Sequence, residues 1–325
     1  MSQEPKISVI VPVYGVEKYI ERCAISLFEQ TLDDIEYIFV NDCTPDCSIE
    51  ILKDVLDRYP NRVSQVRILN MPRNSGQAAV RKFGVENAIG EYIIHCDSDD
   101  WLKLDMYETL YTVAKETNCD IVICDYFKFY EKGPTIHVIQ QVLEDKNNLI
   151  RGLLNEKVHS SLCNKLVKRD LYTNIIYPKD NLREDLTIVV QLVHFAKIIK
   201  YIPIPSYYYR QNNQSLTSFN NDIIRWEKKA YQSINNYNLL ENFLFQQNKL
   251  NCYHSEMFNM RCRLKIYSFV FLLTNEGQKK WDLLFPDLNI FNILFSNLSF
   301  KSKIGYCIAK LHLYPIYRNV INKLK

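Results

Sequence analysis

Apolar runs of strand length alternate with amphipathic helical segments along the first 130 residues of this 325-residue chain. The run Ile7–Val13 has too little polar alternation for a sheet with one wet face, so it predicts a central strand covered by helices on both faces. Apolar side chains then recur at helical spacing between residues 16 and 30, and further strands are predicted at residues 36–41, 66–69, 91–96 and 121–127. This alternation predicts an α/β fold, with a mostly parallel sheet flanked by helices and right-handed crossovers.

Polar residues follow the predicted strands at the points where the strands end. In a parallel sheet, ligands bind in the crevice beyond the carboxyl ends of the strands. The residues expected there are Tyr14 and Glu17 after the first strand, Asp42 after the second, Asn74 and Gly76 after the third, and Asp97 and Asp99 after the fourth. The sequence contains neither G-x-G-x-x-G after the first strand nor G-x-x-x-x-G-K-[ST], so any phosphate must be held by a metal and side chains.

Three carboxylates lie together in the segment Asp97-Ser98-Asp99-Asp100, directly after a buried strand. Neighbouring carboxylates repel one another, whereas a divalent cation with oxygen ligands turns that repulsion into attraction. One interpretation is therefore that the cluster holds a divalent cation. The alternative is that Asp99 or Asp100 only N-caps the next helix, which is predicted to begin at Leu104.

The order and spacing of these segments resemble the family 2 glycosyltransferases of the GT-A fold, which is Rossmann-like. The matching segments are residues 8–14, 40–42, 74–76, 81–84 and 97–100. The resemblance implies that Asp42 reads the nucleobase, that Arg81 helps to hold the nucleotide, and that Asp97 and Asp99 contact the ribose and a metal on the diphosphate. It implies a nucleotide-sugar site that comprises Pro12, Tyr14, Glu17, Asp42, Asn74, Gly76, Arg81 and Asp97.

The resemblance extends to about residue 218 and implies roles in the second half of the domain. Lys165 lies in a segment similar to the family's acceptor-side strand, and Tyr209 and Arg210 resemble a loop that folds over the donor diphosphate. The acidic pair Glu184 and Asp185 stands where relatives have the general base, a role that we assign to Asp185 with Glu184 as its rival. The alternative is that both acids only open a helix over residues 186–196, at its positive end.

The turn after the second strand departs from the family pattern. Cys43 stands where Gly is usual, and Gly15, after the first strand, stands where Asn is usual. If the turn needs a positive backbone angle, Cys43 is strained. Thr44 is predicted to N-cap the second helix, with Pro45 at the first helical position.

The resemblance implies an inverting enzyme that uses Mg²⁺ or Mn²⁺ and a nucleoside diphosphate sugar, most simply a UDP-sugar. Its acceptor is expected to be a glycan or a lipid-linked glycan in surface polysaccharide synthesis. One alternative is a nucleotidyltransferase, although the Gly-rich activating loop of that class is absent after the first strand. The other is a catalytically silent sugar-nucleotide-binding scaffold of a glycan-assembly complex.

Two regions are predicted: a GT-A domain over residues 1–220, with nucleotide and acceptor halves at about 1–130 and 131–220, and a helical extension over residues 221–325. Residues 301–325 are basic and aromatic, a pattern that indicates either contact with an anionic membrane surface or a helix packed on the body. No nucleic-acid reader motif accompanies the net charge of +3. Reduced cysteines and the N-terminal residues favour a cytoplasmic protein, at most peripheral to the inner face of the membrane.

Overall fold

The computed structural model describes residues 4–142, 145–211, 223–273 and 276–313. Two compact units divide the chain, one within residues 1–218 and the other within residues 219–325. The first unit holds the sheet, and the second is built from helices in the residues that the structure describes.

The first unit begins with the strand and helix alternation that the sequence predicts. Its elements are β1 (Ile7–Val13), α1 (Ile20–Phe28), β2 (Ile35–Asn41), α2 (Ser48–Leu56), β3 (Val66–Asn70), α3 (Gln77–Glu86) and β4 (Tyr92–His95). Strand β1 pairs in parallel with both β2 and β4, and β2 pairs in parallel with β3. Both faces of β1 are buried, because helices cover the sheet on each side.

The rest of the first unit completes the sheet with four antiparallel pairs and one parallel pair. Its elements are β5 (Trp101–Leu102), α4 (Met106–Thr117), β6 (Ile121–Phe129), β7 (Ile136–Val138), α5 (Lys146–Leu154), β8 (Lys165–Lys168), α6 (Glu184–Phe195) and β9 (Ile199–Arg210). Within the described ranges, nine strands form one sheet in the order β3-β2-β1-β4-β8-β6-β9-β5, with β7 paired to β6. The predicted α/β fold is confirmed, and β8 lies antiparallel between β4 and β6.

Two helices begin later than the sequence predicts. Helix α2 begins at Ser48 because the Thr44 hydroxyl, the expected cap, donates instead to the carboxylate of Asp46 at 2.6 Å. Helix α4 begins at Met106, after the short strand β5, so neither Asp99 nor Asp100 is its N-cap. The capping alternative for these two acids is therefore wrong.

The second unit comprises α7 (Ile223–Gln246), α8 (His254–Tyr267), α9 (Gly277–Leu283), α10 (Ile290–Leu294) and α11 (Phe300–Lys310). Its core surrounds the indole of Trp281, which donates to the carbonyl of Lys265 at 3.0 Å. The Tyr306 hydroxyl donates to the carbonyl of Leu288 at 2.6 Å and ties α11 to this core. None of the described helices is long and apolar enough to cross a membrane.

Candidate active site

The segment Asp97–Asp100 is fastened to two strands at the carboxyl edge of the sheet. The Ser98 hydroxyl donates to the carbonyl of Pro12 at 2.6 Å, which ties the segment to the end of β1. The buried Asp100 carboxylate accepts from the Tyr207 hydroxyl at 2.6 Å and from the backbone N–H of Arg210 at 2.7 Å. Ser98 and Asp100 are buried, whereas Asp97 and Asp99 are partly exposed, so the latter two carboxylates are the ones that a ligand can reach.

A fully buried guanidinium, that of Arg81 on α3, joins three of the predicted site residues. It donates to Asp97 at 2.8 Å, to Glu184 at 2.9 Å and to Asp185 at short range. Asp97 follows β4, whereas Glu184 and Asp185 form the first turn of α6. The ion pairs therefore bring together residues that are far apart in the sequence.

The two acids of α6 differ in how much of each side chain solvent can reach. The Asp185 side chain is 25% exposed and the Glu184 side chain is 7% exposed. Burial raises the pKa of both carboxyl groups, most for Glu184, while the charge of Arg81 opposes that rise. A carboxylate with a raised pKa and an open side is suited to accept a proton, so the geometry favours Asp185 over Glu184.

Asp97 and Asp99 have the donor chemistry that a small divalent cation requires. Burial, and then the nearby charge of Asp97, raise the pKa of Asp99 to about 6, so a positive charge between them is favourable. In the described part of the chain, no group of three or more His, Cys, Asp or Glu side chains could hold a metal ion. Two carboxylates fit Mg²⁺ or Mn²⁺ when substrate phosphates and water complete the coordination.

Asp42 organises the turn that precedes α3. Its two carboxylate oxygens accept from the backbone N–H of Ser75 at 2.7 Å and of Gly76 at 2.8 Å. Asn181, which no sequence motif indicated, accepts from the N–H of Ala78 at 3.0 Å and so caps α3. Asp42 is buried, and each of its carboxylate oxygens keeps a further lone pair beyond these bonds.

Gly76 is the residue in this turn that cannot carry a side chain. Its φ of +83° suits glycine, and an added Cβ would overlap the amide group of Asn181. We expect Gly76→Ala to lower the free energy of unfolding by about 1–3 kcal/mol, measured by urea denaturation. Adding Gly76→Ala to Asn181→Ala, which already lacks the cap at Ala78, should cost less than adding it to the parent chain, because only the positive φ then opposes the new methyl group. A stability equal to that of the parent chain in Gly76→Ala would contradict this account.

The Asp46 side chain joins the loop after β1 to the loop after β2 by hydrogen bonds. No sequence motif indicated this residue. Its carboxylate accepts from the backbone N–H of Glu17 at 3.0 Å and from the hydroxyl of Ser48 at 2.6 Å. Burial by itself raises the pKa of Asp46, but the hydrogen bonds, led by those of Ser48 and Thr44, lower it to about 2. The Thr44 hydroxyl also accepts from the N–H of Gly15 at 2.8 Å.

Both departures from the family pattern lie at positive backbone angles. Cys43 has φ of +55°, so the strain expected at this turn is present. Gly15 has φ of +66°, a conformation that Gly and Asn both adopt with little cost. Gly15 therefore allows the same backbone turn as the Asn that is usual at this position in the family.

The remaining predicted residues lie around these groups in different environments. Tyr14 and Asn74 are exposed after β1 and β3, and the Glu17 carboxylate accepts from the N–H of Cys47 at 3.4 Å. The Tyr209 ring lies 5.9 Å from that of His159, and burial followed by the charges of Asp97, Asp100 and Asp99 raises its pKa. The guanidinium of Arg210 packs over the ring of Tyr19, 3.6 Å from the ring centroid, and forms an ion pair with Glu131.

Lys165 is a buried ammonium group with all three protons hydrogen-bonded. It donates to the carbonyls of His159 and Ser161 and to the side chain of Asn164, at 2.7–2.9 Å. Burial lowers the pKa of Lys165 to about 8, and the charge of Asp185 opposes that change. This lysine holds the segment before β8 in shape on the side of the site where Asp185 lies.

Four residues of the site had no decisive signal in the sequence. Asn181 and Asp46 are single polar residues in loops, and such residues are common in loops. Gln77 donates to Asp97 at 3.3 Å, and Tyr207 uses its hydroxyl to join Asp100 to the N–H of Asp97. The only available signal was for Tyr207, because it lies in the aromatic segment that contains Tyr209.

Comparison with known proteins matches this chain to a family model and to individual relatives. The family model described as glycosyl transferase family 2 matches residues 8–176. EpsH of Bacillus subtilis, which is named as a putative glycosyltransferase, is 33% identical over 265 residues, or 78% of this chain and 74% of that protein.

Solved structures share the fold at lower identity. S. aureus TarS in complex with UDP-GlcNAc has a TM-score of 0.58 at 19% identity, covering 86% of each chain. The mannosyltransferase PcManGT from Pyrobaculum calidifontis, in complex with GDP-Man and Mn²⁺, has a TM-score of 0.54 at 11% identity, covering 96% of this chain and 88% of that one. These similarities support the predicted GT-A fold.

Proposed function

The chain belongs to glycosyltransferase family 2, and from this premise we propose that it moves a sugar from a nucleoside diphosphate sugar to a hydroxyl of a glycan or lipid-linked acceptor, with inversion. The observation that carries the proposal is the meeting of Asp97, Glu184 and Asp185 on the buried Arg81, at the edge where the strands end. A donor held near Asp97 and an acceptor near Asp185 would lie on opposite sides of the transferred sugar.

The donor half of the proposed site comprises the loops after β1, β2, β3 and β4. Asp42 is held by two backbone N–H groups, so its remaining lone pairs are directed and can accept from a nucleobase. Tyr14, which is exposed at the end of β1, supplies a ring for stacking. The complex of TarS with UDP-GlcNAc supports a UDP-sugar as the first donor to test, and that of PcManGT with GDP-Man the second.

We propose that Asp99 and Asp97 hold Mg²⁺ or Mn²⁺. When bound, such an ion supplies positive charge that stabilises the departing diphosphate. The chain positions these carboxylates through its own contacts, because Asp100 is fixed to β9 and Ser98 to β1. The Mn²⁺ in the PcManGT complex supports the choice of a divalent metal.

The proposed base is Asp185, which takes the proton of the acceptor hydroxyl as that oxygen attacks the anomeric carbon. Arg81 orients the Asp185 carboxylate and also holds Asp97, so it couples the acceptor side to the donor side. These ion pairs support a positioning role for Arg81, and its direct contact with the nucleotide stays a prediction. Lys165 favours the ionised form of Asp185 from the acceptor side.

The acceptor is proposed to be a growing surface polysaccharide or its lipid-linked precursor, with synthesis at the cytoplasmic side of the membrane. The basic segment proposed for membrane contact in the sequence, residues 301–325, is described only as far as residue 313. The rest of that segment, residues 314–325, lies outside the described residues.

The alternative of a catalytically silent scaffold keeps the donor site but needs no base. A thermal-shift panel of UDP-, GDP- and dTDP-sugars, each with EDTA or Mn²⁺, tests the donor and metal proposals together. We expect one donor to raise the melting temperature, with a larger shift in Mn²⁺ than in EDTA, and Asp99→Asn to remove that difference. Asp57→Asn, an exposed aspartate at the end of α2, is the control and should keep it.

Two outcomes of the panel would count against these proposals. An equal shift in EDTA and Mn²⁺ would remove the metal from the donor site. No shift with any donor would contradict the assignment of the loops after β1 to β4 as a nucleotide-sugar site.

A further inference from the structure

One face of helix α11 exposes a stripe of apolar side chains to solvent. Phe300, Ile304, Cys307 and Leu311 recur at the i, i+4, i+7 and i+11 positions, which share one helix face. The opposite face is buried, because Tyr306 and Ala309 pack into the core around Trp281. The Phe300 side chain is 77% exposed, and Ile304 and Leu311 are also exposed. Helix α11 is therefore apolar on both faces, whereas an ordinary surface helix is polar on the outer one.

The short helix α10 adds to the same surface. Phe291, Leu294 and Phe295 are exposed, with Phe295 75% exposed, and the rings of Phe291 and Phe295 lie 4.7 Å apart. The Lys303 ammonium donates to the carbonyl of Leu294 at 2.7 Å, which fixes α10 beside α11. We call this set of exposed side chains on α10 and α11 the apolar face.

The charged side chains that α11 carries have one sign. Lys301, Lys303 and Lys310 flank its outward stripe, on either side of it, and Lys310 lies 3.9 Å from Asp282 of α9. No Asp or Glu occurs in the sequence from residue 288 to the end, whereas basic residues recur through that stretch. Lysines beside an apolar stripe can extend their ammonium groups outward while their methylene stems lie along apolar surface.

We propose that the apolar face docks on a bilayer that contains anionic lipids. Phenylalanine and aliphatic side chains would enter the boundary between headgroups and acyl chains, and the exposed Lys301 ammonium would contact lipid phosphates. The single sign of the charge on α11 favours this occupant over a second copy of the chain, because two such faces would bring their lysines together. The surface is made by residues 290–311 and does not depend on the activity of the enzyme.

Vesicle flotation of the full chain tests the proposal. We expect the protein to float with phosphatidylcholine vesicles that contain phosphatidylglycerol and to stay behind with phosphatidylcholine alone. Phe295→Ser/Phe300→Ser should weaken binding by roughly tenfold or more, because both side chains would enter the bilayer. Lys301→Glu should weaken it by roughly fivefold or more, and added salt should act in the same direction.

Matched controls lie on another helix of the same unit. Phe245→Ser on α7 removes a phenylalanine that is 69% exposed, and Lys228→Glu reverses an exposed charge on that helix. Both should bind vesicles as the parent chain does. Melting temperatures of all four variants should stay near that of the parent, because the changed side chains are at the surface.

Three outcomes would overturn the proposal. The first is absence of flotation with anionic vesicles, and the second is equal loss of binding in the α7 controls. The third is a lipid-free dimer of the parent chain that Phe295→Ser/Phe300→Ser converts to a monomer by light scattering, which would assign the face to a second copy of the chain.

Discussion

Replacing Asp185 with Asn is expected to slow sugar transfer by roughly 10²–10⁴-fold, because the proposed general base is lost. Asparagine has nearly the same shape, and its amide oxygen can still accept from Arg81. We therefore expect the variant to fold normally and to bind the donor as the parent chain does. The measurements are the rate of nucleoside diphosphate release from the donor found by thermal shift, and the thermal shift itself.

The neighbouring acid provides the comparison that tests this assignment. Glu184 also contacts Arg81 but is more buried, so Glu184→Gln should keep more of the activity than Asp185→Asn. Asp57→Asn again serves as the exposed control. Full activity in Asp185→Asn, with activity lost in Glu184→Gln, would transfer the role to Glu184. Unchanged function in all three variants would support the silent scaffold.

Replacing Arg81 with Met is expected to lower the free energy of unfolding by about 3–5 kcal/mol, because it leaves three carboxylates around a buried site without their partner. The parent guanidinium is fully buried and contacts Asp97, Glu184 and Asp185. Urea denaturation measures the change. Arg58→Met, which breaks an exposed ion pair with Glu21, should cost only about 0–1 kcal/mol.

The effect of Arg81→Met should depend on pH in a defined direction. Burial raises the pKa of Glu184 and Asp185 in the folded chain, and Arg81 limits that rise. Groups with a raised folded pKa favour folding at low pH and lose that contribution as the pH rises through the folded value. Without Arg81 both pKa values rise further, so the stability lost by the variant should be smaller at about pH 5 than at about pH 8. An equal loss at both pH values would contradict the ion-pair account.

The presence and parallel pairing of strands β1 to β4 were readable from the sequence because their pattern is local. A run such as Ile7–Val13 shows by its own composition that both faces are buried, and the spacing of the intervening helices requires parallel pairing. The same reasoning located the Asp97–Asp100 segment at the carboxyl edge. It did not show that Lys165–Lys168 inserts between β4 and β6, because strand pairing across so long a separation leaves no local periodicity.

The roles of single polar residues were less readable. Both Asp42 and Asp46 follow β2, yet Asp42 holds the turn at Gly76 and Asp46 holds the loop after β1. Their partners include backbone N–H groups, and these occur at every position except proline. Nothing in the sequence distinguishes one such partner from another.

The sequence by itself determined the α/β class and placed the candidate acids at the carboxyl edge of the sheet, because periodicity and strand ends are properties of short segments. Only the tertiary structure decided that Arg81 joins Asp97 to Glu184 and Asp185, and that Asp185 is the more open of the two acids on α6. Likewise, only burial distinguishes the inward face of α11 from its outward apolar stripe. Ion pairing and exposure depend on which distant segments meet, and hydrophobic pattern does not specify these contacts.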